Sequence, residues 1–122
     1  MLFNASVRHS GEVAIVDVSG RIVLGEGSKQ LTNKVTELLN QGHRKILLNL
    51  AETTYVDSSG LGELVSCYSS LANAGGKMKL LNVQPKIAEL LRMTRLHSLF
   101  ESFANEADAV ASFQENRKAA SA

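Results

Sequence analysis

The sequence contains few of the residues that mark secreted, metal-binding or membrane proteins. It has one cysteine, one proline and no tryptophan in 122 residues. The lone Cys67 cannot form an internal disulfide, which favours a reducing compartment and predicts a cytoplasmic protein. No apolar run approaches the roughly eighteen residues of a membrane span. The N-terminus has no basic segment followed by an apolar one, so we expect neither a secretory signal nor membrane insertion.

The sequence also has no large excess of positive or negative charge. Thirteen Lys and Arg against twelve Asp and Glu leave a net charge of +1. This balance predicts neither a nucleic-acid-binding nor a membrane-binding surface. His9, His43 and His97 are far apart in sequence and fall at the ends of predicted elements, so no metal site or catalytic triad is expected. The glycine-rich segment 25–28 lacks the lysine of a P-loop, and we expect no cofactor.

The hydrophobic pattern predicts one α/β domain at residues 1–116, followed by a frayed tail at 117–122. The domain should contain a mostly parallel central sheet, an N-terminal β-hairpin and about four helices. Strands are predicted at 3–8, 13–18, 46–50, 77–83 and 99–103, with a hairpin turn at 9–11 and a further turn at 51–54. The connection 20–27 should be irregular. Helices are predicted to begin near Ser28, Ser58, Pro85 and Asn105, the first one ending near Gly42.

The most informative segment is Y-V-D-S-S-G-L-G at residues 55–62. It places a carboxylate and two hydroxyls where an apolar strand gives way to an amphipathic helix. A serine at such a junction lies near the unpaired N–H groups of a helix N-terminus. From the residues alone, Ser58 and Ser59 are either ordinary helix caps or sites where charge is added and read by a partner.

A family resemblance favours the second alternative. The segments L-N-L at 48–50, V-D-S-S-G-L-G at 56–62 and G-G-K at 75–77, leading into L-L-N-V at 80–83, resemble the STAS domain. They are most similar to those of the bacterial anti-sigma factor antagonists, and the resemblance covers nearly the whole chain. In that family a partner that is both serine kinase and anti-sigma factor phosphorylates the serine after the aspartate. Only the unphosphorylated antagonist binds the partner well and frees the sigma factor, and a phosphatase resets it.

The resemblance therefore implies a binding protein rather than an enzyme, with Ser58 as the phosphorylation site. Its motif neighbours are the implied partner-binding residues: Asp57, Ser59, Gly60, Leu61 and Gly62. We expect Ser59 to cap the helix, and Asp57 either to form the turn or to orient the Ser58 hydroxyl. Gly60 should leave room for a partner, whereas Gly62 is explained equally well by partner approach or by helix–strand packing.

One departure from the family keeps other functions open. Val23 stands where antagonists often carry an acidic or hydroxyl residue that contributes to the partner surface. Glu26 either replaces that acid or, as we favour, is a solvated loop residue. The chain could instead be a regulatory or scaffold subunit of a stress-signalling or transporter-associated complex. A small hydrolase with Ser58 as nucleophile is the third alternative, but the G-x-S-x-G turn of such enzymes is absent.

Overall fold

The computed structural model describes residues 3–121, apart from the side chains of Glu26 and of residues 115–121. Strands and helices alternate along this chain. In order they are β1 (Asn4–Ser10), β2 (Val13–Ile22), α1 (Glu26–Asn40), β3 (Lys45–Val56), α2 (Ser58–Asn73), β4 (Lys77–Leu81), α3 (Pro85–Met93), a 3-10 turn (Leu96–Ser98), β5 (Ser102–Phe103) and α4 (Glu106–Ser121). The predicted tail at 117–122 lies outside the fully described residues and stays a prediction.

The five strands form one sheet in the order β1-β2-β3-β4-β5. β1 pairs antiparallel with β2, and each of the other neighbouring pairs is parallel. Parallel neighbours need a crossover connection, and α1, α2 and α3 supply the three that are required. The prediction of a single α/β domain, with a mostly parallel sheet, an N-terminal hairpin and four helices, is confirmed.

The sheet has two differently covered faces. The first, which we call the helical face, packs against α1, α2 and α3 through a large apolar core. The second, the α4 face, carries a smaller core made by Val13, Ile15, Leu47, Leu81, Ala109 and Phe113. Adjacent residues of β3 point to opposite faces, so Leu48 belongs to the first core and Leu47 to the second.

Several predicted boundaries were wrong, most of them because strands are longer than expected. The hairpin turn is Gly11-Glu12 rather than 9–11, since Ser10 still pairs with Val13. β2 continues to Ile22, so the predicted irregular connection from 20 onward begins three residues too early.

The turn predicted at 51–54 is part of β3, which continues to Val56. Threonine hydroxyls account for this extension, because they bond to the neighbouring strand where its register shifts. Thr53 Oγ1 donates to the Val18 carbonyl at 3.1 Å, and Thr54 Oγ1 donates to the Gly20 carbonyl at 3.2 Å. The two hydroxyls hold the far half of β3 against β2.

At the other end of the sheet the strands are shorter than predicted. β4 ends at Leu81 because Asn82 adopts a left-handed backbone conformation, with φ of 56°. Residues 96–98 form a 3-10 turn, which leaves only Ser102–Phe103 for β5. β4 therefore ends shortly before α3, and β5 ends shortly before α4.

Of the four predicted helix starts, those at Ser58, Pro85 and Asn105 are confirmed and the one at Ser28 is wrong. Asn105 caps α4, since its Oδ1 accepts from the Asp108 N–H at 3.0 Å. Pro85 is the first residue of α3, where its missing N–H costs nothing. Ser28 is not a cap: α1 begins earlier, after Gly25 with φ of 100°, and the buried Ser28 donates its hydroxyl proton to the Gly25 carbonyl. α1 ends before Gly42, as predicted.

Candidate functional site

The candidate site lies where β3 gives way to α2. Val56 is the last residue of β3, Asp57 is extended, and Ser58 is the first residue of α2. The Asp57 N–H donates to the Ile22 carbonyl at the end of β2, at 3.2 Å. The carboxyl ends of two neighbouring parallel strands therefore hold this junction, and they place the exposed Ser58 at the rim of the sheet.

Asp57 caps α2 and also fixes the preceding connection. Its Oδ1 accepts from the Gly60 N–H at 2.7 Å, and its Oδ2 accepts from the Leu24 N–H at 3.1 Å. The bonds from the Gly60 and Leu24 N–H groups, in that order, hold the pKa of the Asp57 carboxyl below its usual range. The prediction that Ser59 caps the helix is wrong, because the aspartate reaches the N–H groups first. The Ser58 hydroxyl is consequently not needed for capping.

The two glycines of the motif have opposite surroundings. A Cβ on Gly60 would lie 2.0 Å from the Ile22 carbonyl oxygen, so this glycine lets α2 approach β2 closely. The expectation that Gly60 leaves room for a partner is therefore corrected to a packing role. A Cβ on Gly62 would meet nothing within 4 Å, and Gly62 is exposed. Of the two explanations for Gly62, helix–strand packing is excluded.

The remaining motif residues divide between core and surface. Leu61 is only 6% exposed and belongs to the core of the helical face. Ser58 and Gly62 are exposed, and Asp57 and Ser59 are half-buried. Direct contact with a partner is thus open to Ser58, Ser59, Asp57 and Gly62, whereas Gly60 and Leu61 shape the site from beneath.

Two apolar side chains that the sequence analysis did not assign to the site are exposed beside it. Leu24, in the connection before α1, is 76% exposed, and Tyr55, near the end of β3, is 50% exposed. The Arg21 guanidinium lies 5.4 Å from the centre of the Tyr55 ring. The signal in the sequence that could have indicated Leu24 is an apolar residue directly before a glycine. Glu26, the suggested replacement for the acid missing at Val23, lies outside the described side chains.

A groove between α1 and α2 continues from Leu24. Its volume is about 750 Å³, and its walls include Lys29 and Asn33 of α1 and Glu63 of α2. The Thr32 hydroxyl donates to the Glu63 carboxylate across the groove. Leu24, Tyr55, Ser58 and the mouth of this groove make up what we call the Ser58 surface.

The cysteine and two of the histidines lie elsewhere in the described part of the chain. Cys67 is buried, and burial raises the pKa of its thiol to about 11, so it is the inert core residue that was predicted. The rings of His9 and His43 lie 5.0 Å apart, although the sequence separates them widely. Within residues 3–121, no three possible ligands are grouped so that they could hold a metal ion. Nor does that part of the chain contain a helix long and apolar enough to cross a membrane.

Comparison with known proteins agrees with this geometry. The model of the STAS domain family matches residues 4–109 of the chain. The chain belongs to the STAS family. Its match includes the sheet, α1, α2, α3 and the first turn of α4, so the Ser58 surface lies within the family fold.

Curated relatives of this STAS protein are named as anti-sigma factor antagonists. It is 28% identical to the anti-sigma F factor antagonist of Paenibacillus polymyxa, over 90% of this chain and 94% of that protein. It is 27% identical to the anti-sigma-B factor antagonist of Bacillus subtilis, over 83% of this chain and 91% of that protein. Such antagonists are regulatory binding proteins, which agrees with the prediction that the chain is not an enzyme.

A solved structure shows the same fold. The Bacillus cell fate determinant SpoIIAA, in its phosphorylated form, superposes with a TM-score of 0.70 at 21% identity, covering 92% of this chain and 99% of SpoIIAA.

Proposed function

We propose that this STAS protein is a cytoplasmic anti-sigma factor antagonist that is switched by phosphorylation of Ser58. In the unphosphorylated form it binds an anti-sigma factor that is also a serine kinase, and this binding frees a sigma factor. The kinase phosphorylates Ser58 and is released, and a phosphatase restores the binding form. The curated relatives named as anti-sigma factor antagonists support the assignment.

The observation that carries the proposal is the accessible Ser58 hydroxyl on the first residue of α2. Asp57 supplies the capping bond, so Ser58 can be modified without loss of the cap. A phosphate there adds roughly −1.5 to −2 charges. The fold tolerates this charge, because the N-terminus of a helix favours an anion.

The same charge opposes partner binding. Leu24 and Tyr55 flank Ser58 with exposed apolar surface, which a partner would cover and dehydrate. A phosphate between them must then lose its water beside the Asp57 carboxylate. A coupling of only about 1–3 kcal/mol changes affinity roughly 5–150-fold, so neither refolding nor a large movement is required.

The first experiment locates the phosphate. The protein is isolated from its native cells and examined by site-resolved mass spectrometry, with and without phosphatase treatment. Phosphate confined to Ser58 supports the switch. Its absence under several growth conditions contradicts the switch and favours the alternative, a scaffold subunit of a stress-signalling or transporter-associated complex.

The second experiment measures the switch itself. The kinase captured by Ser58→Ala from native cells is purified and titrated by calorimetry with Ser58→Ala, Ser58→Asp and Ser66→Asp. Ser66 is an exposed serine of α2 two turns further on, so Ser66→Asp adds the same charge away from the helix start. We expect Ser58→Asp to bind at least about fivefold more weakly than Ser58→Ala and Ser66→Asp. Equal affinities of all three variants would contradict the proposal.

A further inference from the structure

A second feature of the fold lies between β4 and β5, away from the Ser58 surface. These strands are parallel neighbours, but their outgoing connections go to opposite faces of the sheet. α3 follows β4 and packs on the helical face through Ile87 and Leu91, whereas α4 follows β5 and packs on the α4 face. Helices that diverge in this way leave a crevice outside the carboxyl ends of the two strands, which is the end of an open α/β sheet at which ligands bind.

A pocket of about 360 Å³ occupies this crevice. Asn82 and Val83, directly after β4, form one wall, and Phe103 and Ala104, at the end of β5, form another. The volume is within the range of roughly 300–1,000 Å³ that small-molecule sites have. We call this space the β4–β5 pocket.

The walls of the β4–β5 pocket are held in place without a ligand. The Asn82 N–H donates to the Phe103 carbonyl at 2.8 Å, which joins the two strand ends. The Asn82 side chain donates to Asn49 Oδ1 of β3 at 3.2 Å. These bonds fix a residue with a left-handed backbone at the bottom of the crevice. A pocket formed in advance costs a ligand little ordering on binding.

Within the described part of the chain, the polar side chains that line the pocket include a cation and no carboxylate. Arg92 of α3, His97 and Ser102 bring a guanidinium, an imidazole and a hydroxyl to the pocket, and no carboxylate of the described residues lines it. None of the side chains described pairs with that of Arg92 or His97. An unpaired guanidinium offers a planar set of donors that suits a carboxylate or a phosphate.

The rest of the lining is apolar. Val83, Ala88, Leu91 and Phe103 contribute side chains that offer contact area and no hydrogen bond. A ligand that suits both the polar and the apolar part of the lining has an anionic head that binds Arg92 and a short apolar body that contacts the apolar side chains.

We propose that the β4–β5 pocket binds a small organic anion, a carboxylate or phosphate monoester with a short apolar body, through Arg92 and His97. The pocket contains no residue of the Ser58 surface, so this proposal does not rest on the phosphorylation switch.

The test is a titration of the full chain followed by two-dimensional NMR of the backbone amides. The probes are octanoate, octyl phosphate and the neutral 1-octanol, which share one apolar body and differ in the head group. We expect saturable shifts at Val83, Ala88, Ser102 and Ala104 with at least one of the two anions, and binding of 1-octanol that is at least about tenfold weaker, because it lacks the charge. The stronger anion identifies whether the natural ligand carries a carboxylate or a phosphate.

Matched variants identify the residue responsible. Arg92→Gln should weaken anion binding by roughly ten- to a hundredfold, since a charge-assisted bond is lost. Lys86→Gln removes the same charge from the exposed side of α3, outside the pocket, and should leave affinity unchanged. Unchanged amide spectra away from the pocket establish that both variants fold. Absence of saturable shifts, shifts confined to other parts of the chain, or equal affinity of wild type and Arg92→Gln would each overturn the proposal.

Discussion

The two faces of the sheet are stabilised by different kinds of contact. On the helical face the core is a large cluster of apolar side chains, and α2 lies so close to β2 that only a glycine fits at position 60. On the α4 face a small apolar core is joined by charged groups. Lys79 Nζ, almost fully buried, donates to Ser112 Oγ at 2.8 Å, and Arg8 bonds to both Asp17 and Glu106.

The helices on the two faces of the sheet are therefore held in place by different kinds of contact. Close packing at Gly60 brings α2 against β2 on the helical face, and Ser58 is the first residue of that helix. On the α4 face, polar contacts from Arg8 and Lys79 join α4 to β1 and β4 beside the smaller core. We therefore expect the helical face to respond most to changes of volume and the α4 face to changes of charge.

The largest effect should follow from a single methyl group on the helical face. Gly60→Ala places a Cβ against the Ile22 carbonyl oxygen, which is backbone and cannot move aside. We expect the free energy of unfolding to fall by about 3 kcal/mol or more. Gly62→Ala is the matched control: its Cβ enters open space in the same helix, and stability should stay level or rise by up to about 1 kcal/mol. Urea unfolding of both variants measures the difference, and similar losses would show that close packing does not position α2.

An intermediate effect, in the opposite direction, is expected for the buried cation of the α4 face. Lys79→Met keeps most of the volume and removes the charge. Ser112 keeps its own bond to the Ala109 carbonyl, and Glu101 is exposed enough to be hydrated, so no buried group loses its only partner. We expect stability to rise by about 1 kcal/mol.

Lys77→Met, on the exposed first residue of β4, is the control and should change stability by less than about 0.5 kcal/mol. If Lys79→Met instead lowered the free energy of unfolding by more than about 2 kcal/mol, the ammonium would be required to hold α4 against the sheet.

The smallest effect concerns the stability of the fold at acidic pH. Arg8 is the main cause that holds the pKa values of Asp17 and Glu106 below their usual range. Carboxylates with lowered pKa values stabilise the fold above their unfolded pKa of about 4, and this contribution is lost as the pH falls through the folded values. Both side chains are partly exposed, at 33% and 41%, so we expect the two pairs, which share Arg8, to contribute together no more than about 1 kcal/mol.

Arg8→Met should therefore lower stability by up to about 1 kcal/mol at pH 7 and by less at pH 3. Arg44→Met provides the comparison, since Arg44 donates to the carbonyls of Leu39, His43 and Ala74, which do not titrate. The stability lost in Arg44→Met should be the same at both pH values. Equal pH dependence of the two variants would exclude a role for the Arg8 cluster in acid stability.

Much of the fold could be predicted because apolar spacing follows the geometry of each element. Leu31, Val35 and Leu38 recur at helical spacing and are buried on α1. In β3, Ile46, Leu48 and Leu50 are buried on the helical face and Leu47 on the α4 face, because helices cover both sides of the strand. The extension of β3 could not be predicted in this way. It depends on hydroxyls of Thr53 and Thr54 that meet carbonyls some 35 positions away in the chain.

The site was predicted in outline and misassigned in detail for a similar reason. A motif places Ser58 at the helix start, but spacing alone cannot decide which of three adjacent polar side chains reaches the free N–H groups. It also cannot distinguish Gly60, which faces Ile22, from Gly62, which faces solvent. The pairing of His9 with His43 and the lining of the β4–β5 pocket likewise arise only when distant segments meet.

The two bonds accepted by Asp57 set a rule for redesigning partner choice. Residues 23–25 are an attractive place to graft a new recognition loop, since Leu24 is so exposed. Yet the Leu24 N–H and the first turn of α2 share one carboxylate, so the graft must present a main-chain donor at that spot. Proline at position 24 is thereby ruled out, and loop libraries should vary side chains while keeping the length from Ile22 unchanged.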